Sequence, residues 1–320
     1  MIDSLFDRAA SVLERRFLRN AFLPVLLFLP VTLAPCLLQG GNLERGLAAW
    51  EGQTLTFKFL AVIGYFTFCW FSAAIVASQW RNIIRLFEGY PVARFPWLES
   101  IGVRWHSARS AELVDLVERE RDRMSASELR YWAYPETGVL PTRLGNVLRA
   151  AEFYPIRRYG ISLITVWPRL HKVLPRETAE DVEDARATME FLLVLCLWLV
   201  AFAALNPVLA VLLGTSMPLS ILLFALGLVL AYWAYLSAIP AAAEYGEHLR
   251  AAFEVHRLKL LEQLRLPQPD TLLAERARWE DLDRFILEGA SPGWRYEPDA
   301  GNELRIRIVT SEHGRTDDEQ

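Results

Sequence analysis

From Phe191 to Ala243 the chain runs for 53 residues without an Asp, Glu, Lys or Arg. An ionised side chain at the centre of a bilayer costs roughly 3 kcal/mol or more. An apolar helix of about 20 residues is enough to cross one. This stretch therefore has room for two crossings and a tight turn. Asn20–Leu43 and Phe59–Trp80 are also free of charge and fit one crossing each. A core helix of a water-soluble protein shows a polar face every turn, whereas Phe191–Leu205 (FLLVLCLWLVAFAAL) has none. A cleaved signal peptide fits poorly. Gln39-Gly40-Gly41-Asn42 lacks the small-residue cleavage pattern, and Pro24, Pro30 and Pro35 interrupt the apolar body.

The expected fold is an all-α membrane protein with four transmembrane helices in a 2+2 arrangement, a mainly helical cytoplasmic insert and a C-terminal helical tail. Residues 1–19 read as an amphipathic cytoplasmic segment. Residues 20–80 hold helices 1 and 2 (about 20–39 and 58–80), 81–188 form the insert, and 189–243 hold helices 3 and 4 (about 189–212 and 218–240). Residues 244–310 give cytoplasmic helices and a short strand at 303–310, and 311–320 a disordered tail.

Lys and Arg collect at the cytoplasmic ends of membrane helices. Arg15, Arg16 and Arg19 precede the first crossing, and Arg81, Arg85 and Arg94 follow the second. Between them Arg45 and Lys58 are offset by Glu44 and Glu51, and the link between crossings three and four has no charge. Both termini and the insert are accordingly expected in the cytoplasm, with the chain in the cell inner (plasma) membrane. The formal net charge of −4, concentrated in an acidic tail, argues against nucleic acid as a partner, because that surface needs clustered bases.

Three prolines in the first crossing predict kinks, tolerated where neighbouring helices satisfy the freed carbonyls. In the insert, 108–130 has a helical pattern. Thr142 reads as a helix cap for Arg143–Phe153, with a stop near Pro155. Gly160–Trp167 (GISLITVW) is rich in β-branched residues and reads as either a strand or a membrane-dipping segment. The hairpin turn of crossings three and four is placed near Gly214. In the tail, Leu249, Phe253, His256, Leu260 and Leu264 space like a short coiled-coil seam, which suggests a homo-oligomer through 244–266. A second amphipathic helix is expected over 271–288.

Little points to chemistry. No nucleophile elbow, P-loop or Rossmann glycine pattern occurs, so no enzyme activity or cofactor is expected. Cys36, Cys69 and Cys196 lie in apolar segments and read as packing residues. Glu244 and His248 are one helical turn apart with His256 two turns on, but no HExxH pattern accompanies them, so no metal site is expected.

The most distinctive stretch is 141–175. Its elements Leu144-Gly145-Asn146, Ala151-Glu152, Arg158-Tyr159-Gly160 and Trp167-Pro168-Arg169-Leu170 resemble a recurring block in uncharacterised bacterial multi-pass membrane proteins. The resemblance covers about a tenth of the chain and implies location and topology only. It also implies an Asp shortly after the Tyr-Gly pair, where this chain has Ser162. A docking block of Gly145, Asn146, Glu152, Arg158, Tyr159, Gly160, Trp167 and Arg169 is expected to seat the insert on the cytoplasmic face of the bundle. Besides the lipid bilayer, a cytoplasmic protein is the expected partner. The functional expectation is an oligomerising scaffold or signalling module; the alternative is an oligomeric channel or pore gated by the insert.

Overall fold

The computed structural model describes residues 17–38, 42–120, 134–135, 137–290 and 293–294. Among these the secondary structure is helical, with no strand. The helices are α1 (Leu18–Leu37), α2 (Asn42–Glu51), α3 (Leu55–Ser78), α4 (Trp80–Glu88), α5 (Pro96–Glu120), α6 (Arg143–Tyr159), α7 (Leu163–Leu170), α8 (Arg176–Leu213), α9 (Met217–Gln263) and α10 (Leu272–Glu288). Four of them, α1, α3, α8 and α9, are long and apolar enough to cross a membrane. The chain forms two compact units. The first takes the residues up to Ala150 and Asp181–Glu247; the second takes Ala151–Glu180 and the residues from His248 onward.

In the first unit, proline chemistry shapes α1. Pro24 cannot donate to the carbonyl four residues back. The helix opens there into a π turn, Leu18–Phe22, in which the Leu23 N–H reaches back to the Leu18 carbonyl. Pro30 likewise frees the carbonyl of Leu26, and the hydroxyl of Tyr65 on α3 donates to that oxygen at 2.5 Å. A polar side chain of one crossing thus repairs the backbone of another. Small residues let the two helices close up: Ala21 on α1, and Cys69 and Ala73 on α3, are buried in one cluster with Val25.

A second small-residue seam joins α8 and α9. Gly227 comes so near that a Cβ there would lie 2.9 Å from the Ala203 Cβ. Cys196, Ala231 and Ala234 continue the contact. The turn between these helices falls at Gly214, whose φ of +63° suits a residue without a Cβ. α9 does not end at Pro240. The proline removes one donor, but Ala238, Ile239, Ala241 and Ala242 around it are packed in the core, so the helix continues to Gln263.

The sequence expectation differs from the structure at three further points. α6 passes through Pro155 and ends at Tyr159, just before Gly160, where φ is +79°. Pro155 forfeits one backbone bond, whereas Gly160 turns the chain. The stretch 160–167 is not a strand: a short non-helical turn at 160–162 leads into α7, Leu163–Leu170, with Leu163, Val166 and Leu170 buried. Burial on a helical spacing outweighs the β-branched composition. The link between the first two crossings contains α2, which charge reading alone left without structure. The expected segments 1–16, 121–130, 303–310 and 311–320 lie outside the described residues.

Candidate functional site

The block at 144–169 is divided between the two units. Gly145 and Asn146 stand in the first turn of α6, in the first unit. The Thr142 hydroxyl accepts from the Gly145 N–H at 3.2 Å and caps the helix. A Cβ on Gly145 would sit 2.6 Å from the Glu88 carbonyl oxygen at the end of α4, so only glycine permits this approach. Asn146 is fully buried. Its amide donates to the carbonyls of Leu140 and Thr142, both at 2.8 Å, and its oxygen accepts from the Leu140 N–H at 2.7 Å. It therefore clamps the loop before α6. Leu144, Val147 and Leu148 then pack among Met189 and Leu193 of α8 and Ile239 of α9. The start of α6 is docked on the ends of the crossing helices.

The other six residues belong to the second unit, and two of them, Tyr159 and Gly160, build its interior. Tyr159 is buried, stacked at a tilt on Phe253, with the Arg257 guanidinium 4.8 Å from its ring centre. Burial raises the Tyr159 hydroxyl above its ordinary range although Arg257 opposes the shift. A Cβ on Gly160 would fall 2.3 Å from Glu280 Cγ. Arg158 lies over the Tyr154 ring and donates to its hydroxyl at 3.4 Å. The Tyr154 hydroxyl is itself bonded to Glu254; burial and that bond push it up to about 12. Arg169 is exposed and donates to the Thr165 carbonyl at 2.8 Å. Trp167 meets His171 edge-on, and Glu152 is half-buried on α6.

Sequence reasoning missed the centre of this unit. Arg257 on α9 donates to Glu275 of α10 at 2.6 Å, and the Trp279 indole N–H donates to the same carboxylate at 3.2 Å. Glu275 is only 5% exposed and Trp279 is fully buried against Phe253. The proposed coiled-coil seam is used here: Leu249, Phe253 and Leu260 are buried within the chain itself. A sequence signal existed, because Glu275 and Trp279 are one turn apart on the face that also carries Leu282.

Two polar clusters lie in the first unit. His106 on α5 is buried, with Nδ1 2.9 Å from the Tyr134 hydroxyl. Arg143 donates to that hydroxyl at 3.4 Å and lies over the same ring. The tyrosine oxygen thus accepts from the guanidinium and shares a second hydrogen bond with Nδ1, whose direction follows the imidazole tautomer. Burial and the nearby Arg143 charge push His106 down to about 4.

The second cluster borders a cavity of 280 Å³ lined by Asn20, Trp80, Arg186 and Glu190 with Phe17 and Val194. Glu190, only 3% exposed, accepts from Arg186 at 2.8 Å. Asn20 donates to the Ala187 carbonyl at 2.9 Å. The Trp80 indole N–H is buried without a partner among the described residues. Glu190 could have been found from its register, since the buried Ala187 and Val194 stand three residues before it and four after it, on one face.

Among the described residues, no three His, Cys, Asp or Glu side chains converge as a metal site. No protein family, curated protein or solved structure matches this chain.

Proposed function

We propose that the protein is a membrane-anchored helical scaffold: two pairs of crossings hold it in the lipid, and its second unit, on the cytoplasmic side, offers a surface to a partner protein. The observation that carries this reading is the independent interior of the second unit. The Arg257–Glu275–Trp279 cluster and the Tyr159–Phe253 stack give it a core of its own. Outside that core the first turn of α10 leaves Leu272 and Leu273 in solvent. The block residues Tyr159 and Gly160 then serve to build the unit, and Gly145 and Asn146 to seat α6 on the crossings.

The polarity of the crossings favours an anchor over a pore between copies. Three of their polar side chains, Thr32, Asn206 and Ser220, are buried, and Ser72 is half-buried, while Thr67 of α3 is exposed. Their outer faces carry large apolar groups such as Phe59, Phe68 and Phe71 on α3 and Leu222 on α9. Such faces match lipid tails and give ions no replacement for water.

The test pairs two measurements. A photo-reactive residue at Leu273, introduced in living cells, should yield one discrete adduct that the same probe at Leu222 does not. Purified protein in liposomes should leave ion flux at the lipid background. Flux that rises with the amount of protein, with no adduct at Leu273, would replace the scaffold by the pore.

A further inference from the structure

One helix outside the four crossings carries an apolar face that none of the described residues covers. α5 begins at Pro96, directly after the turn Tyr90–Arg94. Trp97, Ile101 and Trp105 follow at intervals of four and therefore form a stripe along its first three turns. All three are exposed, Trp97 at 64% and Trp105 at 60%, and Phe95 and Leu98 widen the stripe. A different face of the same helix is already in use. A Cβ on Gly102 would be 2.7 Å from the Pro141 Cβ, His106 is buried on Tyr134, and Leu113 is buried further along.

The height of this helix is fixed by the same contacts. Pro141 also meets Gly89, at the end of α4. Three residues on, Leu144 packs with Met189 and Ile239 of the crossing helices. The Leu144 N–H points to the hydroxyl of Tyr235 on α9 at 3.4 Å. One short loop thus ties α5 to the level at which α3, α8 and α9 leave their apolar stretches. Helix α4 spans only about 13 Å at 1.5 Å per residue, so α5 begins close to the end of α3.

We propose that the first half of α5 lies in the headgroup layer of the membrane that the protein spans, with Trp97, Ile101 and Trp105 turned into the lipid. The occupant of the exposed face is the bilayer surface, for three reasons. Tryptophan paired with aliphatic residues is the side-chain chemistry of that layer, with a flat apolar body and one polar N–H. The exposed charges nearby are Arg81, Arg85, Arg94 and Arg104, against the half-buried Glu88 and Glu99, so the segment is cationic toward anionic headgroups. The face is also continuous, through α4, with a helix that is itself apolar enough to cross the membrane. Such a helix adds a lipid-composition-sensitive contact to the anchor, and it holds the His106–Tyr134–Arg143 cluster against the membrane surface.

The test uses the full chain in nanodiscs of phosphatidylcholine and phosphatidylglycerol, with one spin label at a time. The native Cys36, Cys69 and Cys196 are buried, and their replacement by Ala or Ser leaves the label site-specific. Labels at Ile101→Cys and Trp105→Cys should collide several-fold more with oxygen than with a water-soluble nickel chelate. The ratio should reverse at Ser107→Cys, an exposed position off the stripe. Equal nickel access at 101, 105 and 107 would overturn the proposal. Dipolar broadening at 101 that disappears on dilution with unlabelled protein would also overturn it, since a second copy would then cover the face. All three positions are exposed, so the labels leave the packed interior intact. A Gly102→Leu variant, which should lift the helix off Pro141, is expected to lower the oxygen ratio at 101.

Discussion

The bond from Tyr65 to the Leu26 carbonyl is the sharpest place to probe how the crossings hold together. Pro30 leaves that carbonyl without its helical donor, and the hydroxyl of the neighbouring helix replaces it at 2.5 Å. Tyr65→Phe keeps the ring and its packing but strands the carbonyl in an apolar setting. Hydrogen bonds between membrane helices contribute about 0.6 kcal/mol on average and up to roughly 1.7. A bond to an otherwise orphaned carbonyl belongs at the upper end, so the expected loss is about 1–1.5 kcal/mol. Pro30→Ala returns an N–H to position 30, and the Leu26 carbonyl can then be satisfied within α1. In that background Tyr65→Phe should cost close to nothing, which makes the two substitutions non-additive by about 1 kcal/mol. The assay is reversible unfolding in mixed micelles across the four-protein cycle. Strictly additive losses would refute the claim that Tyr65 stands in for the donor that Pro30 lacks.

Gly145→Ala should destabilise despite alanine's better helix propensity, because its Cβ would meet the Glu88 carbonyl at 2.6 Å; overpacking of this kind costs about 1–3 kcal/mol, read as a lowered Tm, and Gly46→Ala on α2, with nothing within 4 Å, should not lower it. Glu275→Ala should unfold the second unit readily, since removing one partner of a buried pair costs about 3–5 kcal/mol; Glu275→Gln keeps acceptors for Arg257 and Trp279 and should cost clearly less, measured by protease resistance of the 248–288 region. Acid should loosen the α5 region: His106 titrates near 4 when folded and near its ordinary 6.5 when unfolded, so the unfolded chain binds the proton first and stability is lost as the pH falls from 6.5 toward 4. The ceiling is ~3 kcal/mol, and local solvent and relaxation reduce it to roughly 1–2; His106→Phe should flatten that pH dependence of Tm.

The crossings were legible because their cause is local. Uncharged runs of the right length state their own environment, and the hairpin turn at Gly214 follows from the one glycine that leaves both helices long enough. The Thr142 cap was legible for the same reason, being set within four residues. What escaped was decided at long range. Pro155 and Pro240 look like helix ends in sequence, yet packing on both sides carries the helices through them. The β-branched run at 161–166 looks like a strand until the burial of Leu163, Val166 and Leu170 on one helical face is seen. The coiled-coil spacing from Leu249 to Leu264 marks a face of which Leu249, Phe253 and Leu260 are buried within the chain, where Tyr159 and Trp279 meet Phe253. The expected docking block combined two tasks, a glycine contact on α4 and the core of a separate unit, because adjacent positions on one helix carry no mark of where each face ends. The Arg257–Glu275 pair, 18 residues apart, was invisible for want of any local pattern joining its members.

Side-specific labelling tests the scaffold account most directly. Single cysteines at Gln53, in the link between α2 and α3, and at Leu273 on α10 are placed in sealed inverted and right-side-out vesicles and treated with an impermeant maleimide. The account predicts that Gln53 reacts only from the outer face and Leu273 only from the cytoplasmic face. Both sites reacting from the same face would contradict it.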